Sequence, residues 1–194
     1  MNVLILAAGL GSRLRPLTEK IPKPMVLLKP NERAIDFQLK QLQGFGEIFI
    51  NTHYCHEVFE NYLRDKKVNI HYEKKLLGTA GPLARVFKSS PKDLLVVNSD
   101  IIHDIDLNAF LNFSKNKEIA FTVVDHPKTN TLELMNEDVV GIKNKFNFGE
   151  SSRKMTFAGV SYYSSKVLSS IALGDFDIRN IWKKHLENHF KISC

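Results

Sequence analysis

The sequence predicts a three-layer α/β fold, in which a mostly parallel, mixed sheet lies between two layers of helices. Short apolar runs rich in Val, Ile, Leu and Phe alternate with stretches whose apolar residues recur at helical spacing. Such alternation is typical of parallel strands joined by right-handed helical crossovers. The chain has 194 residues, of which 43% are hydrophobic, enough for one domain with a core of its own.

The predicted strands and helices follow one another along the first part of the chain. Two apolar runs, "NVLILAA" and "DLLVVNS", are too continuous for strands with one polar face, so they are predicted to be central and parallel. The other strands of this part are predicted at "EIFIN", "VNIHYE" and "EIAFTVVD". Helical spacing predicts helices over residues 35–45, 57–64, 81–87 and 107–113.

The pattern changes after about residue 125. Strands with little helix are predicted at "TLELM", "VVGIK" and "TFAGVSYY", followed by a helix from 177 to about 189. We therefore expect one domain over residues 1–194, in which a β-rich lobe from about 126 closes a site formed by about 1–125.

The composition narrows the classes of partner. A net charge of +6 is compatible with nucleic acid, an acidic membrane surface or small phosphorylated ligands. Basic and aromatic residues share no stripe, which argues against nucleic acid, and no apolar run is long enough to cross a bilayer. The first residues lack the zones of a secretory signal, so we expect a cytoplasmic protein. The two cysteines, Cys55 and Cys194, are expected to be free thiols, and the histidines show no metal-binding spacing.

A loop rich in glycine, proline and basic residues follows the first predicted strand, over residues 6–25, "LAAGLGSRLRPLTEKIPKPM". Because ligands bind at the carboxyl ends of parallel strands, this loop is expected at the mouth of a site. Gly9 and Gly11 allow the backbone to approach a ligand closely and to direct N–H groups at phosphate oxygens. Arg13 and Lys23 add positive charge, and prolines on both sides of Lys23 restrict its backbone. The loop therefore predicts a polyphosphate site.

Two common phosphate loops do not fit this segment. Leu14 stands where a dinucleotide fingerprint needs its third glycine, and the Gly-Lys-Ser/Thr of a P-loop does not occur. Gly-x-Gly alone is also common in surface turns. The longer pattern, G-x-G-x-R followed by P-K-P behind a buried strand, resembles the signature of the sugar-1-phosphate nucleotidyltransferases, also called nucleoside diphosphate-sugar pyrophosphorylases. The resemblance extends from residue 1 to about residue 190.

This resemblance implies a Rossmann-like fold and a Mg²⁺-dependent reaction. A nucleoside triphosphate and a sugar 1-phosphate are the implied partners, and a nucleotide sugar and pyrophosphate the products. The first part of the chain would bind the nucleotide and the second part the sugar; the sequence sets no oligomeric state. Arg13, Lys23 and Asp100 are implied as catalytic residues. The residues implied to contact the substrates are Leu6, Ala8, Gly9, Gly11, Glu73, Gly78, Thr79 and Gly159.

Three later segments carry the resemblance further. "YEKKLLGTAGPLA" resembles the family's base-reading segment, in which Glu73 could accept the imino N–H of uracil or the imino and amino N–H groups of guanine. "LLVVNSD" ends at Asp100, which resembles the family's Mg²⁺-binding aspartate. "TFAGVSYY" resembles the segment whose glycine backbone, here Gly159, faces the sugar. From the residues alone, Glu73 also fits a surface glutamate, Asp100 a turn cap, and the last segment an ordinary strand.

Within the family, "LAAG", "NTHY", "VDHP" and "TFAGVS" are most similar to enzymes that transfer a uridylyl group to N-acetylmuramate 1-phosphate in cell-wall recycling. Guanylyl transfer to mannose 1-phosphate is the alternative, favoured by "GTAGPLA" and "NSD", and thymidylyl and cytidylyl transfer stay open.

One part of the family pattern does not occur in the sequence. The W-x-D-x-G-T strand, whose aspartate is the second metal ligand of the family, would begin where the sequence ends at "HFKISC". A nucleotide-binding protein without efficient metal catalysis is therefore the alternative from another functional class, and Mg²⁺-dependent turnover distinguishes the two.

Overall fold

The computed structural model describes residues 1–194, and its strands and helices are numbered in chain order. The strands are β1 (Asn2–Leu6), β2 (Leu27–Lys29), β3 (Glu32–Arg33), β4 (Glu47–Thr52), β5 (Asn69–Tyr72), β6 (Leu94–Asn98), β7 (Ile119–Val124), β8 (Leu132–Met135), β9 (Asp138–Ile142), β10 (Phe146–Asn147), β11 (Arg153–Tyr163) and β12 (Ile192–Ser193). The helices are α1 (Ala34–Leu42), α2 (His56–Leu63), α3 (Gly81–Ser89), α4 (Leu107–Ser114), α5 (Ser165–Leu168) and α6 (Ile178–Glu187). No helix is both long enough and apolar enough to cross a membrane.

All strands except the β2–β3 hairpin belong to one mixed sheet. Its order is β10-β9-β12-β7-β11-β6-β1-β4-β5, and β8 pairs with both β9 and β11. The strands β6, β1, β4 and β5 are parallel, whereas β11 is antiparallel to β6 and β7. The predicted mixed sheet is confirmed, and its parallel part coincides with the first part of the chain.

Helices cover both faces of this sheet, as the three-layer prediction requires. On one face, α1, α2 and α4 pack through Ile35, Phe59 and Phe110 against alternate residues of β1 and β6. On the other face, α3, α5 and α6 pack against the remaining strand residues, with Leu83 and Trp182 in that cluster. Because both faces of β1 and β6 are buried, their apolar runs show no polar alternation.

The parallel strands set the place of the site. In the sheet, β4 and β5 follow on one side of β1, and β6, which comes next in the chain, lies on the other side of β1. The loops after β1 and β6 consequently diverge, which leaves a crevice at the carboxyl ends of these strands.

The second part of the chain extends the same sheet. β11 pairs with β6 through Val160 and with β7 on its other side, and its register with β7 shifts between Phe157 and Ser161. Both residues line a cavity beside the crevice. The helix α6 begins after Asp177, whose carboxylate accepts a hydrogen bond from the backbone N–H of Arg179 (3.0 Å).

Four features of the fold were not predicted from the sequence, and one of them is the two-residue strand β10. The four-residue helix α5 is too short to show a helical period, and the two residues of β12 pair with β7 and β9 across distant parts of the chain. The hairpin of β2 and β3 forms its own small sheet, because all of its strand residues lie outside the core. Helix ends differ from the predicted ends by a few residues.

Three half-buried or buried histidines are expected to make the stability depend on pH. Burial lowers the pKa of His71, His103 and His185; Glu118, 3.8 Å from His185, favours the charged imidazole but is outweighed by burial. The unfolded chain therefore takes up protons near pH 6.5 while the folded chain does not, so stability present above that pH is lost as the pH falls below it. The carboxylates with lowered pKa, such as Asp36, change the stability only at more acidic pH.

We expect the thermal unfolding midpoint to fall between pH 7.5 and pH 5.5, roughly across the ordinary histidine pKa. Replacement of the buried His185 by Gln should reduce that pH dependence, whereas replacement of the exposed His189 by Asn should leave it unchanged. Scanning calorimetry at both pH values checks this. Equal midpoints for the parent protein at the two pH values would show that the histidines do not control stability.

Candidate active site

A cavity of about 450 Å³ occupies the crevice at the carboxyl ends of β1, β4 and β6. Its lining comes from four separate parts of the chain, so it forms only when the sheet is complete. The lining residues are Leu6, Ala7, Ala8, Gly9, Leu10, Gly11, Ser12, Arg13, Leu14, Lys23, Pro24, Asn51, Leu76, Gly78, Thr79, Asn98, Ser99 and Asp100. We call this space the phosphate cavity.

The loop after β1 offers backbone donors to this cavity. The N–H groups of residues 8–11 donate no hydrogen bond within the chain, although all four residues line the cavity. Gly11 has φ 62°, and a Cβ atom there would lie 3.1 Å from the Thr18 side chain, whose hydroxyl donates to the Gly11 carbonyl (2.7 Å). A run of free N–H groups next to the Arg13 guanidinium is suited to bind phosphate oxygens.

Lys23 and Asp100 form an ion pair in the lining of the cavity. The Lys23 ammonium donates to Asp100 Oδ2 at 2.6 Å, and each side chain is about one-third exposed (31% and 35%). Buried Pro24 and Met25 follow Lys23 in a single helical turn, which fixes the backbone from which its side chain extends. A half-exposed pair of this kind is worth only about 0–1 kcal/mol, so a phosphate group can replace Asp100 as the partner of Lys23 at small cost.

Asp100 is the only acidic residue that lines the phosphate cavity, and no three His, Cys, Asp or Glu residues of the structure form a group that could hold a metal. Mg²⁺ is commonly held by one or two carboxylates together with substrate phosphates and water. The donor set therefore fits a Mg²⁺ ion that arrives with a phosphorylated substrate. It does not form a site made of protein ligands alone.

Behind the cavity, Asn51 and Glu73 form a buried network. The Asn51 side chain accepts from the Ala7 N–H (2.8 Å) and donates to Glu73 Oε1 (2.8 Å), while Glu73 Oε2 accepts from the Leu77 N–H (2.8 Å). Glu73 is only 2% exposed. The network ties the loop after β1 to the loop after β5, and both loops line the cavity.

The loop after β5 is also held by the segment before α6. Gly78 has φ 67°, and a Cβ atom there would lie 2.0 Å from the carbonyl oxygen of Phe176. That carbonyl accepts from the N–H of Thr79 (2.7 Å), and the Thr79 hydroxyl accepts from the N–H of Ile178 (3.0 Å). Only glycine allows this close approach of two backbones.

A second cavity, of about 610 Å³, adjoins the first and shares Leu6, Gly78, Thr79 and Asn98 with it. We call it the aromatic cavity, because Phe157, Tyr163, Phe176 and Trp182 line it. Its charged lining residues are Lys143, Lys145, Asp177 and Arg179. The two cavities therefore share a wall.

Comparison with protein families matches residues 2–133 to the Nucleotidyl transferase family. The chain belongs to this family. It is 36% identical over 162 residues to mannose-1-phosphate guanylyltransferase 1 of Arabidopsis thaliana, an alignment that covers 75% of this chain and 44% of that protein. It is 33% identical over 147 residues to the D-glycero-alpha-D-manno-heptose 1-phosphate guanylyltransferase of Campylobacter jejuni, covering 72% of this chain and 66% of that protein. This nucleotidyl transferase chain thus spans less than half the length of the plant relative.

Solved structures share the fold of this nucleotidyl transferase at low sequence identity. A putative glucose-1-phosphate thymidylyltransferase from Bacillus anthracis matches with a TM-score of 0.77 and 22% identity, covering 100% of this chain and 85% of that one. HddC from Yersinia pseudotuberculosis matches with a TM-score of 0.74 and 24% identity, covering 91% and 82% of the two chains. The α/β fold that the sequence resemblance implied is confirmed.

The structure brings most of the expected site residues of this nucleotidyl transferase together. Their roles stay predictions, but their positions are plain. The expected residues that line the phosphate cavity are Leu6, Ala8, Gly9, Gly11, Arg13, Lys23, Gly78, Thr79 and Asp100. Glu73 and Gly159 line neither cavity.

Glu73 lies behind the cavity wall, and its expected contact with the base stays a prediction. Both carboxylate oxygens are occupied by Asn51 and Leu77, and the side chain is buried behind the cavity wall. In this structure Glu73 is bonded to the loop that lines the cavity, and Asn51 is the polar side chain of this pair that reaches the lining.

Gly159 lies beside the loop that carries Asp100, and its expected contact with the sugar stays a prediction. A Cβ atom at this residue would lie 2.9 Å from Ile101 Cδ1 and 3.4 Å from Asn98 Nδ2. The glycine thus makes room for the loop that carries Asp100, and Asn98, which lines both cavities, takes the position at the wall.

Sequence reasoning did not identify Asn51 or the charged residues of the aromatic cavity. Asn51 is a polar residue near the carboxyl end of a parallel strand, which is a usable signal. Lys143, Lys145 and Arg179 carry no such signal, because their places depend on turns in the second part of the chain.

Proposed function

We propose that this chain transfers a nucleotidyl group from a nucleoside triphosphate to a sugar 1-phosphate. One observation carries the proposal: a cavity with free backbone N–H groups, Arg13 and Lys23 adjoins an aromatic cavity with further cations, and the two share a wall. A triphosphate suits the first cavity, and a phosphorylated sugar suits the second.

In this reaction an oxygen of the sugar phosphate attacks the α-phosphorus of the triphosphate. The bond from the α-phosphorus to the oxygen that bridges it to the β-phosphorus breaks, and pyrophosphate leaves with that oxygen. The chain needs no nucleophile of its own, so its residues act by positioning and by offsetting charge. The N–H groups of residues 8–11, Arg13 and Lys23 would bind the triphosphate and the departing pyrophosphate. Asp100 would hold Mg²⁺ against the phosphates, where the ion offsets the negative charge that gathers as two anions react.

Among possible substrates, we favour GTP and a manno-configured sugar 1-phosphate. The support is the names of the relatives, which are guanylyltransferases for mannose 1-phosphate and for a manno-heptose 1-phosphate. Uridylyl transfer to N-acetylmuramate 1-phosphate, which the sequence motifs favour, is the alternative. The base would meet the loop over residues 76–79, since Glu73 is engaged behind it.

The test is Mg²⁺-dependent pyrophosphate release with GTP, UTP, CTP and dTTP, each combined with mannose 1-phosphate, N-acetylmuramate 1-phosphate and glucose 1-phosphate. We expect GTP with mannose 1-phosphate to react at least about tenfold faster than UTP with the same sugar. Fastest reaction of UTP with N-acetylmuramate 1-phosphate would replace the guanylyl assignment. Binding of a nucleotide with no release for any pair would contradict the transfer and identify a nucleotide-binding protein.

A further inference from the structure

Asp177 and Arg179 form an ion pair in the lining of the aromatic cavity, with side chains that are 34% and 45% exposed. The Arg179 Nε donates to both carboxylate oxygens of Asp177 (2.8 and 3.0 Å), and Nη2 donates to Oδ2 (2.5 Å). This bonding lowers the pKa of Asp177 and raises that of Arg179, so both groups stay charged at neutral pH. Arg179 Nη1 donates to no acceptor in the chain.

The N-terminus of α6 does not require an ion pair. The carboxylate of Asp177 already caps α6 through the backbone N–H of Arg179, and a neutral Asn or Ser would do the same. The added guanidinium brings N–H donors beside carboxylate lone pairs. Donors and acceptors side by side match adjacent hydroxyl groups, each of which both donates and accepts. The rings of Phe157 and Trp182 in the same lining offer apolar surface for the C–H face of a sugar ring.

Thr79, which lines both cavities, is hydrogen-bonded to the backbone on either side of Asp177. Its hydroxyl accepts from the N–H of Ile178, and its N–H donates to the carbonyl of Phe176. These two residues flank Asp177 in the chain. The loop that lines the phosphate cavity is therefore bonded on both sides of the residue that anchors Arg179.

We propose that Asp177 and Arg179 bind hydroxyl groups of the sugar in the aromatic cavity, and that Thr79 positions them. The inference rests on the proposed function. In this proposal Lys143 and Lys145, the other cations of the lining, bind anionic groups of the same substrate. The pair selects sugars by the arrangement of their hydroxyls, since a planar guanidinium bound to a carboxylate has fixed directions of bonding.

The experiment compares, by calorimetric titration, the affinity for GDP-mannose with that for GDP, and for UDP-N-acetylmuramate with that for UDP. The excess affinity of the nucleotide sugar over its nucleotide measures the sugar contact and requires no turnover. We expect Arg179→Gln to reduce this excess by about tenfold or more, because hydrogen bonds to a charged group are lost. Affinity for the free nucleotide should stay within about twofold, since Arg179 does not line the phosphate cavity.

Three further variants separate binding from structure. Lys183→Gln, one turn along α6 and outside both cavities, should keep the full excess. Thr79→Val lacks the hydroxyl and should lose part of the excess, whereas Thr79→Ser keeps the hydroxyl and should retain it.

Each result has a separate meaning. An unchanged excess in Arg179→Gln would overturn this inference, even if the variant melts at a lower temperature, and would leave the proposed function standing. If the parent protein binds neither nucleotide sugar more tightly than its nucleotide, the inference is overturned, whereas the proposed transfer is overturned only by the absence of pyrophosphate release. Loss of the excess affinity in Thr79→Ser as well as in Thr79→Val would show that the Thr79 hydroxyl does not position Asp177 and Arg179.

Discussion

Replacement of Asp100 by Asn is expected to reduce pyrophosphate release by about 10²- to 10³-fold, the range seen when one group that stabilises developing charge is removed. Asn keeps the shape of the side chain but loses the charge that pairs with Lys23 (2.6 Å) and that would hold Mg²⁺ against the phosphates. The loss should appear mainly in kcat, because the charge matters most when pyrophosphate departs.

The matched control for this prediction is Asp104→Asn. Asp104 lies four residues further along the same loop, is exposed, and lines neither cavity. The rate of this control should match that of the parent protein. A rate for Asp100→Asn within about threefold of the rate of the parent protein would show that Asp100 does not take part in the reaction. It would also contradict the proposal that Asp100 holds the metal.

Replacement of Glu73 by Ala is expected to lower the free energy of unfolding by about 2–4 kcal/mol, since it leaves the buried Asn51 Nδ2 and the half-buried Leu77 N–H without partners. For a chain of this size the melting temperature should fall by roughly 5–15 °C. Differential scanning calorimetry measures this shift. The exposed Glu150→Ala serves as the control and should melt with the parent protein.

A second variant separates positioning from base contact. Glu73→Gln keeps an acceptor for Asn51 but can place an NH₂ group against the Leu77 N–H. If Glu73 only positions the loop, this variant weakens the binding of GTP and UTP alike and preserves their ratio. A change of about tenfold or more in that ratio would return Glu73 to direct contact with the base.

The sequence was most informative where one stretch of chain decides the structure. The apolar runs of β1 and β6 identified central strands because both faces of each strand are buried. Gly9, Gly11, Arg13 and Lys23 lie within one loop, so their common purpose could be read from adjacent residues, and all four line the phosphate cavity.

The sequence was less informative where distant parts of the chain meet. The spacing from Glu73 to Gly78 placed both in one loop, but it could not show that the carboxylate turns inward to Asn51, 22 residues away. Asp177 was expected only as the start of a helix. Its pairing with Arg179 gained a possible function only when the aromatic cavity was formed by β6, β8, β11 and α6 around it.

The central claim is that two substrates meet at the wall between the cavities and that the sugar phosphate attacks the α-phosphorus. Mass spectrometry of the products formed from GTP and mannose 1-phosphate labelled with oxygen-18 in its phosphate group tests this claim directly. The account predicts that GDP-mannose carries all of the label next to the sugar and that the released pyrophosphate carries none. Label in the pyrophosphate, or nucleotide binding without any nucleotide sugar among the products, would contradict it.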